Sequence, residues 1–390
     1  MSFIFFAVVT LGTLLGSHFL LFFTAVRVYS ITNSITRLIL LILLSVLAMS
    51  FFLSAIFVRL SSNPVTNAFS WLSSIWFGLW LHLLAALALF WLIYAITRVL
   101  GANPDLRLVA GTLFGLAAVV TVYGTVNAFS VQVKHLEVQL RNVPDNWRDK
   151  TIVQLSDVHL GAIRGNGFLK NVIAKVNALE PEMVVITGDL FDGMGGDLPS
   201  FAEPLSTLSA SKGVFFVSGN HEGYLGLTEP LSIVEKAGIR ILDDEVVDVD
   251  GLQIAGVSFP EFGTLNKERS VTRMGEAIDP DKPCILLYHT PTDVAESSTG
   301  RAEQQSRTYL SPDIDFSFAR EYRIDLQLSG HTHEGQLIPF TYLTKRIFGG
   351  YHYGLHNVDG FSIYITSGTG TWGPPLRTGS NSEIVAITLR

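Results

Sequence analysis

The fold of this chain is indicated most clearly by one stretch, Thr151-Ile-Val-Gln-Leu-Ser-Asp-Val-His159. Its first five residues form a short, mostly apolar run, which predicts a buried strand, and Asp157 and His159 follow directly. Similar runs are separated by helical patterns at Phe168–Leu179 and Phe201–Ala210. Strands alternating with helices predict βαβ units, in which functional groups gather at the carboxyl ends of the strands. The further predicted strands are Val131–Leu140, Met183–Thr187, Val214–Ser218, Gln253–Val257, Cys284–Tyr288, Asp325–Leu328, Ser362–Ile365 and Ile384–Leu389.

Potential metal ligands follow five of these predicted strands. Aspartate, asparagine and histidine together suit divalent metals such as Mn²⁺, Fe²⁺ or Zn²⁺. Glycines beside these residues permit tight turns and a close approach of the backbone. We therefore expect a metal site where the strand ends converge. The five motifs are Asp157-Val-His159, Gly188-Asp189, Gly219-Asn220-His221-Glu222, Tyr288-His289 and Gly330-His331-Thr332-His333.

The charged residues divide the chain into two regions. Residues 1–130 hold only six charged side chains, whereas the other 260 residues hold 55. The first region has a net charge of +4 and the second of −11. This pattern predicts a transmembrane domain at residues 1–130 and a soluble domain at 131–390, and it excludes a wholly soluble enzyme. An acidic soluble domain also argues against a nucleic-acid partner, because phosphate contacts need lysine and arginine.

Four apolar stretches predict a multi-pass protein of the cell membrane, since a spanning helix needs about 20 apolar residues. They are Phe3–Val26, Leu38–Val58, Trp71–Thr97 and Leu108–Phe129. The first and third links and their flanks carry four arginines, and the opposite side carries Arg59, Lys134 and Arg141. Because positive charge concentrates on the cytoplasmic side, this distribution predicts that the soluble domain is extracytoplasmic.

Three further residues have a functional and a structural interpretation. His18 and His82 lie inside predicted spans, where an ionisable residue is a functional candidate. The simpler interpretation is a neutral histidine that hydrogen-bonds to a neighbouring helix. Cys284, the only cysteine, lies in an apolar run, which favours a buried strand residue over a nucleophile.

The ordered motifs resemble those of the calcineurin-like metallophosphoesterases, D-x-H, G-D, G-N-H-[DE], H and G-H-x-H, over about residues 150–390. The resemblance implies an α/β fold, a four-layer αββα sandwich, here preceded by a four-helix transmembrane domain. It also implies two divalent metal ions (Mn, Fe or Zn) that share one aspartate. Asp157, His159, Asp189 and His333 would hold one ion, and Asp189, Asn220, His289 and His331 the other. His221 would be the catalytic histidine beside the scissile phosphate.

The tail of the chain is similar to the bacterial membrane-anchored branch of that family, which includes UDP-diacylglucosamine pyrophosphohydrolases. The motifs of this chain that carry the similarity are Gly335-Gln336, Tyr351-x-Tyr353-Gly354-Leu355, Ser367-Gly-Thr-Gly370 and Pro374-Pro-Leu-Arg377. This resemblance implies hydrolysis of a phosphoester or pyrophosphate bond by metal-activated water. We expect a lipid-linked or cell-envelope substrate, because four predicted spans exceed what tethering requires. The alternative is a non-catalytic membrane protein that uses the metal domain to bind lipid or phosphate. A transporter-like bundle is disfavoured because the predicted spans contain no carboxylate.

Other residues leave two interpretations open. Arg164 and Arg377 are either phosphate contacts or solvated loop arginines. His352 and His356 lie in a predicted aromatic, glycine-rich loop that either lines a substrate groove or is plain surface. Glu296–Ser306 is a polar stretch predicted to cover the site or approach the membrane.

Overall fold

A computed structural model of the protein describes residues 3–260, 267–294 and 311–390. The predicted polar stretch Glu296–Ser306 lies outside these residues. Contacts divide the chain into two compact units. The first contains Met1–Val126 and Gly373–Leu376, and the second contains Asn127–Trp372 and Arg377–Arg390.

Four helices of the first region are long and apolar enough to cross a membrane. The four predicted apolar segments are thus confirmed as helices, and their ends shift by a few residues. Helix α3 shows the reason, because Asn63 caps its N-terminus by accepting hydrogen bonds from the backbone of Val65 and Thr66. The helix therefore begins at Pro64 and not at Trp71. The helices are α1 (Phe3–Val28), α2 (Ser34–Leu60), α3 (Pro64–Val99) and α4 (Leu106–Phe129).

The two histidines inside these helices bond to neighbouring helices, which confirms the simpler interpretation. His18 Nε2 accepts a hydrogen bond of 3.2 Å from Trp76 Nε1, and His18 Nδ1 lies 2.8 Å from the Leu14 carbonyl. His82 Nδ1 lies 2.8 Å from Thr121 Oγ1. Each ring is thus tied to another helix of the bundle.

The second region contains two six-stranded mixed sheets. The first has the order β1-β12-β2-β3-β4-β5, and the second has the order β10-β11-β9-β8-β7-β6. The strands are β1 (Gln132–Val138), β2 (Thr151–Leu155), β3 (Met183–Thr187), β4 (Val214–Val217), β5 (Arg240–Ile241), β6 (Glu245–Val249), β7 (Leu252–Val257), β8 (Cys284–Tyr288), β9 (Leu326–Ser329), β10 (Gly354–Val358), β11 (Phe361–Ile365) and β12 (Glu383–Leu389).

Helices cover the outer face of each sheet, which confirms the predicted αββα sandwich. One apolar core lies between the two sheets, where Ile152 and Ile254 are fully buried. Each sheet also packs against its own helices through a further apolar core. Val172 belongs to the core of the first sheet and Met274 to that of the second. The helices are α5 (Asn166–Asn177), α6 (Ala202–Leu205), α7 (Asn220–Leu225), α8 (Thr228–Lys236), α9 (Lys267–Glu276), α10 (Ser317–Glu321) and α11 (Phe340–Ile347).

Three secondary-structure predictions were wrong or incomplete. The predicted helix Phe201–Ala210 is only a 3₁₀ turn at Leu198–Phe201 followed by the single turn of α6. The short strands β5 and β6 were not predicted, because their alternation is brief. Strand β10 replaces part of the predicted aromatic loop, so His356 lies in a strand.

Cys284 is fully buried in β8, and burial raises its thiol pKa to about 12, as expected for a structural cysteine.

Candidate metal centre

The eight predicted site residues lie together at one end of the two sheets. Strands β2, β3 and β4 run parallel, as do β7, β8 and β9, so the carboxyl ends within each set share an edge. Three site residues follow strands of the first sheet and three follow strands of the second, while Asn220 and His221 begin α7 after β4. All but His221 and His331 are buried. In detail, Asp157 and His159 follow β2, Asp189 follows β3, His289 follows β8, and His331 and His333 follow β9.

One cluster joins ends of both sheets. His159 Nε2 lies 3.0 Å from His333 Nε2, and His333 Nε2 lies 3.2 Å from Asp157 Oδ1. The Asp189 carboxylate is also near, with Oδ2 4.0 Å from His159 Nε2. Nitrogen and oxygen ligands about 2.1 Å from one cation lie about 3.0–3.4 Å from each other. The spacing of these atoms is therefore suited to holding one metal ion.

A second cluster uses the same oxygen of Asp189. His289 Nε2 lies 3.2 Å from Asp189 Oδ2 and 3.1 Å from Asn220 Oδ1. His331 Nδ1 lies 3.1 Å from Asn220 Oδ1 and 3.2 Å from His289 Nε2. Asp189 thus stands between two groups of potential ligands.

The hydrogen bonds of the second cluster leave its lone pairs facing each other. His289 Nδ1 lies 2.8 Å from the Thr187 carbonyl and donates to it, so Nε2 presents a lone pair whenever the ring is neutral. Burial opposes protonation of His289, but Asp189 outweighs it and raises the pKa of His289 to about 9, so a bound metal ion would take the place of the Nε2 proton. Asn220 Nδ2 donates to the Tyr224 hydroxyl at 3.2 Å, so Oδ1 faces the centre. Acceptors that converge without donors repel one another unless a cation lies among them. The donor set therefore fits a bound metal ion.

The backbone at this site is strained. Five of the seven predicted ligand residues have a positive φ, namely Asp157, His159, Asp189, His331 and His333. The left-handed region is uncommon for residues other than glycine, although aspartate, asparagine and histidine occupy it more readily than most. Strain of about 1 kcal/mol or more for each such residue persists where the surrounding structure enforces it, and it clusters at functional sites.

Two glycines allow the ligand loops to approach each other. A Cβ atom on Gly219 would lie 2.2 Å from Asp189 Oδ1, and one on Gly330 would lie 2.1 Å from Asp157 Oδ2. Neither contact is sterically possible for a side chain. The sequence prediction of close backbone approach beside the ligands is therefore confirmed at these positions.

Glu222 joins two of the ligand loops, a role that the sequence analysis missed. Its buried carboxylate accepts hydrogen bonds from the backbone N–H groups of Gly219 at 2.7 Å, Asp189 at 3.0 Å and Phe191 at 3.0 Å. Burial and the nearby Asp189 carboxylate raise the pKa of Glu222 to about 7. The sequence signal that could have pointed to this role is the acidic residue that ends the G-N-H-[DE] motif.

His221 lies at the mouth of the site with one ring nitrogen already engaged. In the neutral ring, Nδ1 accepts from the backbone N–H of Gly193 at 3.0 Å and Nε2 carries the proton. In the protonated ring, Nδ1 faces Asp192 Oδ1 at 3.8 Å and Nε2 still carries a proton. That Nε2 lies 3.9 Å from Asp189 Oδ2. Burial opposes protonation of the ring, but Asp189 and Asp192 outweigh it and raise the pKa of His221 to about 9.

The two central aspartates favour their ionised form. Burial favours the neutral carboxyl, but nearby histidines outweigh it and hold the pKa of Asp157 and of Asp189 below the ordinary range. Ser156 Oγ also donates a hydrogen bond of 2.6 Å to Asp157 Oδ2. The site therefore offers two buried negative charges to a cation.

Arg377 and Arg164 are neither phosphate contacts nor solvated arginines, so both interpretations of them were wrong. Arg377 is fully buried and donates to the carbonyls of Ser367 at 2.5 Å and Gly370 at 2.7 Å. Arg164 is 1% exposed and donates to the Ala128 carbonyl at 3.2 Å. Arg377 thus supports the loop that follows β11, and Arg164 holds the backbone at Ala128.

Comparison with known proteins agrees with this geometry. A family model described as calcineurin-like phosphoesterase matches residues 150–335. An uncharacterised metallophosphoesterase of Campylobacter jejuni is 33% identical over 296 residues, which cover 74% of this chain and 71% of the relative. The chain belongs to the calcineurin-like metallophosphoesterases. Members of this family are metal-dependent phosphoesterases that use two divalent metal ions.

Other relatives extend the similarity to proteins with membrane helices. A Danio rerio protein named transmembrane protein with metallophosphoesterase domain is 33% identical, over 70% of this chain and 61% of the relative. This chain matches 60% of the length of each of two uncharacterised metallophosphoesterases of Helicobacter pylori. Among solved structures, a dimetal phosphatase from Danio rerio is 13% identical, with a TM-score of 0.33 over 56% of this chain and 87% of its own. The four apolar helices, together with the relatives named as transmembrane proteins, indicate a membrane protein.

Proposed function

We propose that this metallophosphoesterase is anchored in the cell membrane and hydrolyses a phosphoester or pyrophosphate bond of a lipid-linked or cell-envelope substrate. Asp157, His159, Asp189 and His333 hold one metal ion in this proposal. Asp189, Asn220, His289 and His331 hold the other. The observation that carries the proposal is the convergence of histidine nitrogens, the Asn220 amide oxygen and two carboxylates around Asp189, a donor set that suits divalent cations.

Two divalent ions bound there would supply an activated water and offset the charge of a phosphoryl group. The chain itself supplies the arrangement and the proton. Glu222 and the strained loops hold the ligands in place. His221 in its protonated form, which its pKa of about 9 favours, would present its Nε2 proton towards Asp189, from where it is suited to protonate the leaving oxygen and become a neutral imidazole.

The proposal predicts hydrolysis of a chromogenic phosphodiester or monoester by the purified full chain with Mn²⁺. Asp189→Asn should lower turnover about a thousandfold and reduce the bound metal measured by elemental analysis. His221→Gln should lower turnover about a hundredfold and leave the metal content unchanged. His135→Gln, at an exposed position of β1, and Asp145→Asn, whose side chain is fully exposed, serve as matched controls.

A wild-type chain that binds two metal ions but hydrolyses no phosphoester would contradict the enzymatic function. It would favour the non-catalytic binding protein instead. Turnover that survives Asp189→Asn would show that the assigned centre is not the site of catalysis.

An exposed surface beside the site supports a substrate at the membrane. Helix α11 follows the His331–His333 loop within a few residues, and the α-carbon of Thr341 would lie 2.6 Å from a Cβ on Gly335. Its segment exposes Ile338, Phe340, Tyr342 and Leu343, followed by the exposed Lys345 and Arg346. Apolar and basic side chains on one short helix favour contact with anionic lipid headgroups.

Substitution on α11 tests this part of the proposal separately. Tyr342→Ser/Leu343→Ser should lower kcat/KM about tenfold for a phospholipid substrate in vesicles and leave it unchanged for a soluble chromogenic ester. Equal loss on both substrates would point to damage at the metal centre. No loss on either would remove the support for a lipid-linked substrate.

The proposed extracytoplasmic position of the metal domain has its own test. Cys284 is buried, so Asp145→Cys introduces one accessible thiol. A membrane-impermeant maleimide should label this thiol in cells whose outer barrier is permeabilised and whose inner membrane is intact. Labelling only after lysis would place the domain in the cytoplasm.

A further inference from the structure

The helix bundle contains a cavity of about 270 Å³ that is separate from the metal centre. It lies where α1 and α3 end and α4 begins, beside the first and third links. Its walls combine apolar and aromatic side chains with two arginines. The lining residues are Arg27, Val28, Phe90, Trp91, Tyr94, Arg98 and Leu106.

Both arginines lie against the same tyrosine. The guanidinium carbon of Arg27 is 5.5 Å from the ring centroid of Tyr94, and that of Arg98 is 5.7 Å from it. Arg27 Nη2 also donates a hydrogen bond of 2.9 Å to the Tyr94 hydroxyl. One aromatic ring thus positions two planar, permanently charged groups at the cavity.

No carboxylate balances these charges in the part of the chain that the structure describes, where neither Arg27 nor Arg98 forms an ion pair. Asp105 is the only acidic residue among residues 1–130, and its Oδ1 accepts from the backbone N–H groups of Arg107 and Leu108. Arg107 bonds to Val28 and Ser30, and Arg37 bonds to Ile31. This end of the bundle therefore carries four arginines and one aspartate.

We propose that this cavity binds a phosphate-bearing anion, the headgroup of an acidic phospholipid. Arg27 and Arg98 would contact the phosphate oxygens, since guanidinium groups match phosphate by paired hydrogen bonds. Phe90, Trp91 and Leu106 provide apolar contacts for the adjoining part of the lipid. Basic cavities between membrane helices are suited to such headgroups.

The test measures binding by the purified full chain in detergent, with phosphatidylglycerol, phosphatidylcholine and inorganic phosphate as probes. Native mass spectrometry gives the dissociation constants, and thermal unfolding gives an independent readout. We expect phosphatidylglycerol to bind at least about tenfold more tightly than phosphatidylcholine. Inorganic phosphate that binds as tightly as phosphatidylglycerol would assign the same site to a soluble anion.

Variants connect the binding to the cavity. Arg27→Gln/Arg98→Gln should weaken phosphatidylglycerol binding at least about tenfold, and Tyr94→Leu should weaken it although both charges remain. Arg59→Gln removes an arginine at the far end of α2 and should leave binding unchanged.

A wild-type chain that does not distinguish phosphatidylglycerol from phosphatidylcholine, and does not bind phosphate, would overturn the proposal without any variant. The four arginines would then serve only to orient the protein in the membrane. Equal binding by folded Arg27→Gln/Arg98→Gln and wild-type protein would also overturn it.

Discussion

The histidines of the helix bundle and those of the metal centre meet opposite conditions. His18 and His82 each have a hydrogen-bonding partner on a neighbouring helix. At the metal centre, ring nitrogens face other acceptors, as His289 Nε2 faces Asp189 Oδ2 and Asn220 Oδ1. A histidine bonded to one neighbouring helix stabilises packing, whereas histidines that converge with carboxylate and amide oxygens form a donor set suited to a cation. Burial alone therefore does not identify a functional histidine.

Removal of metal should produce the largest difference in response between the metal domain and the helix bundle. Chelation should abolish phosphoesterase activity and lower the unfolding temperature of the metal domain, because buried carboxylates and lone pairs would lose their cation. The helical circular dichroism signal of the bundle should persist, and added Mn²⁺ should restore activity. Activity that resists exhaustive chelation would show that the two sets of histidines do not differ in this way.

Adding one methyl group should also distinguish the two regions. Gly219→Ala places a Cβ atom within 2.2 Å of Asp189 Oδ1 and should lower turnover about a hundredfold by displacing that carboxylate. Gly115→Ala in α4 has nothing within 4 Å and should leave activity unchanged while raising helix stability by about 1 kcal/mol. Steady-state kinetics and thermal unfolding measure both effects. Similar losses in the two variants would contradict the steric argument.

Glu222→Gln should have an intermediate effect, because the amide keeps the size of the side chain but accepts hydrogen bonds more weakly. We expect a stability loss of about 1.5–3 kcal/mol and a higher metal dissociation constant. Saturating metal should recover most of kcat, as expected for a positioning residue. Glu235→Gln, at an exposed position of α8, is the control. A loss of kcat that excess metal does not recover would assign Glu222 a direct catalytic role.

His18→Leu should have the smallest effect. It removes the acceptor of the Trp76 indole and should cost about 0.6–1.7 kcal/mol of bundle stability. Phosphoesterase activity towards a soluble ester should not change. A strong fall in that activity, in protein that unfolds at the normal temperature, would give this bundle histidine a functional role.

The convergence of these residues was predictable from the sequence because the information that predicts it is local. Each ligand follows a short apolar run, and parallel pairing brings such strand ends together, as with Asp157 and Asp189. The four apolar helices were predictable for the same reason. The ligand pairing itself came from a family resemblance and stays a prediction until metal is measured.

Features that depend on distant partners were not predictable. Arg377 looked like a loop arginine because prolines and glycines surround it. Its partners, Ser367 and Gly370, are brought to it by the loop that follows β11, and sequence spacing does not show this contact. The predicted helix Phe201–Ala210 was wrong for a related reason. A helical pattern of that length does not show how few turns of helix form. Glu222 was visible in its motif, but its three backbone partners lie on two loops, one after β3 and one after β4.

The left-handed backbone at five ligand residues sets activity against stability. At about 1 kcal/mol each, these conformations sum to an amount comparable with the net stability of a domain. Selection for a more stable chain would therefore act first on the residues that the proposed chemistry needs. A thermostable relative that has lost such conformations would be expected to have lost the metal centre as well.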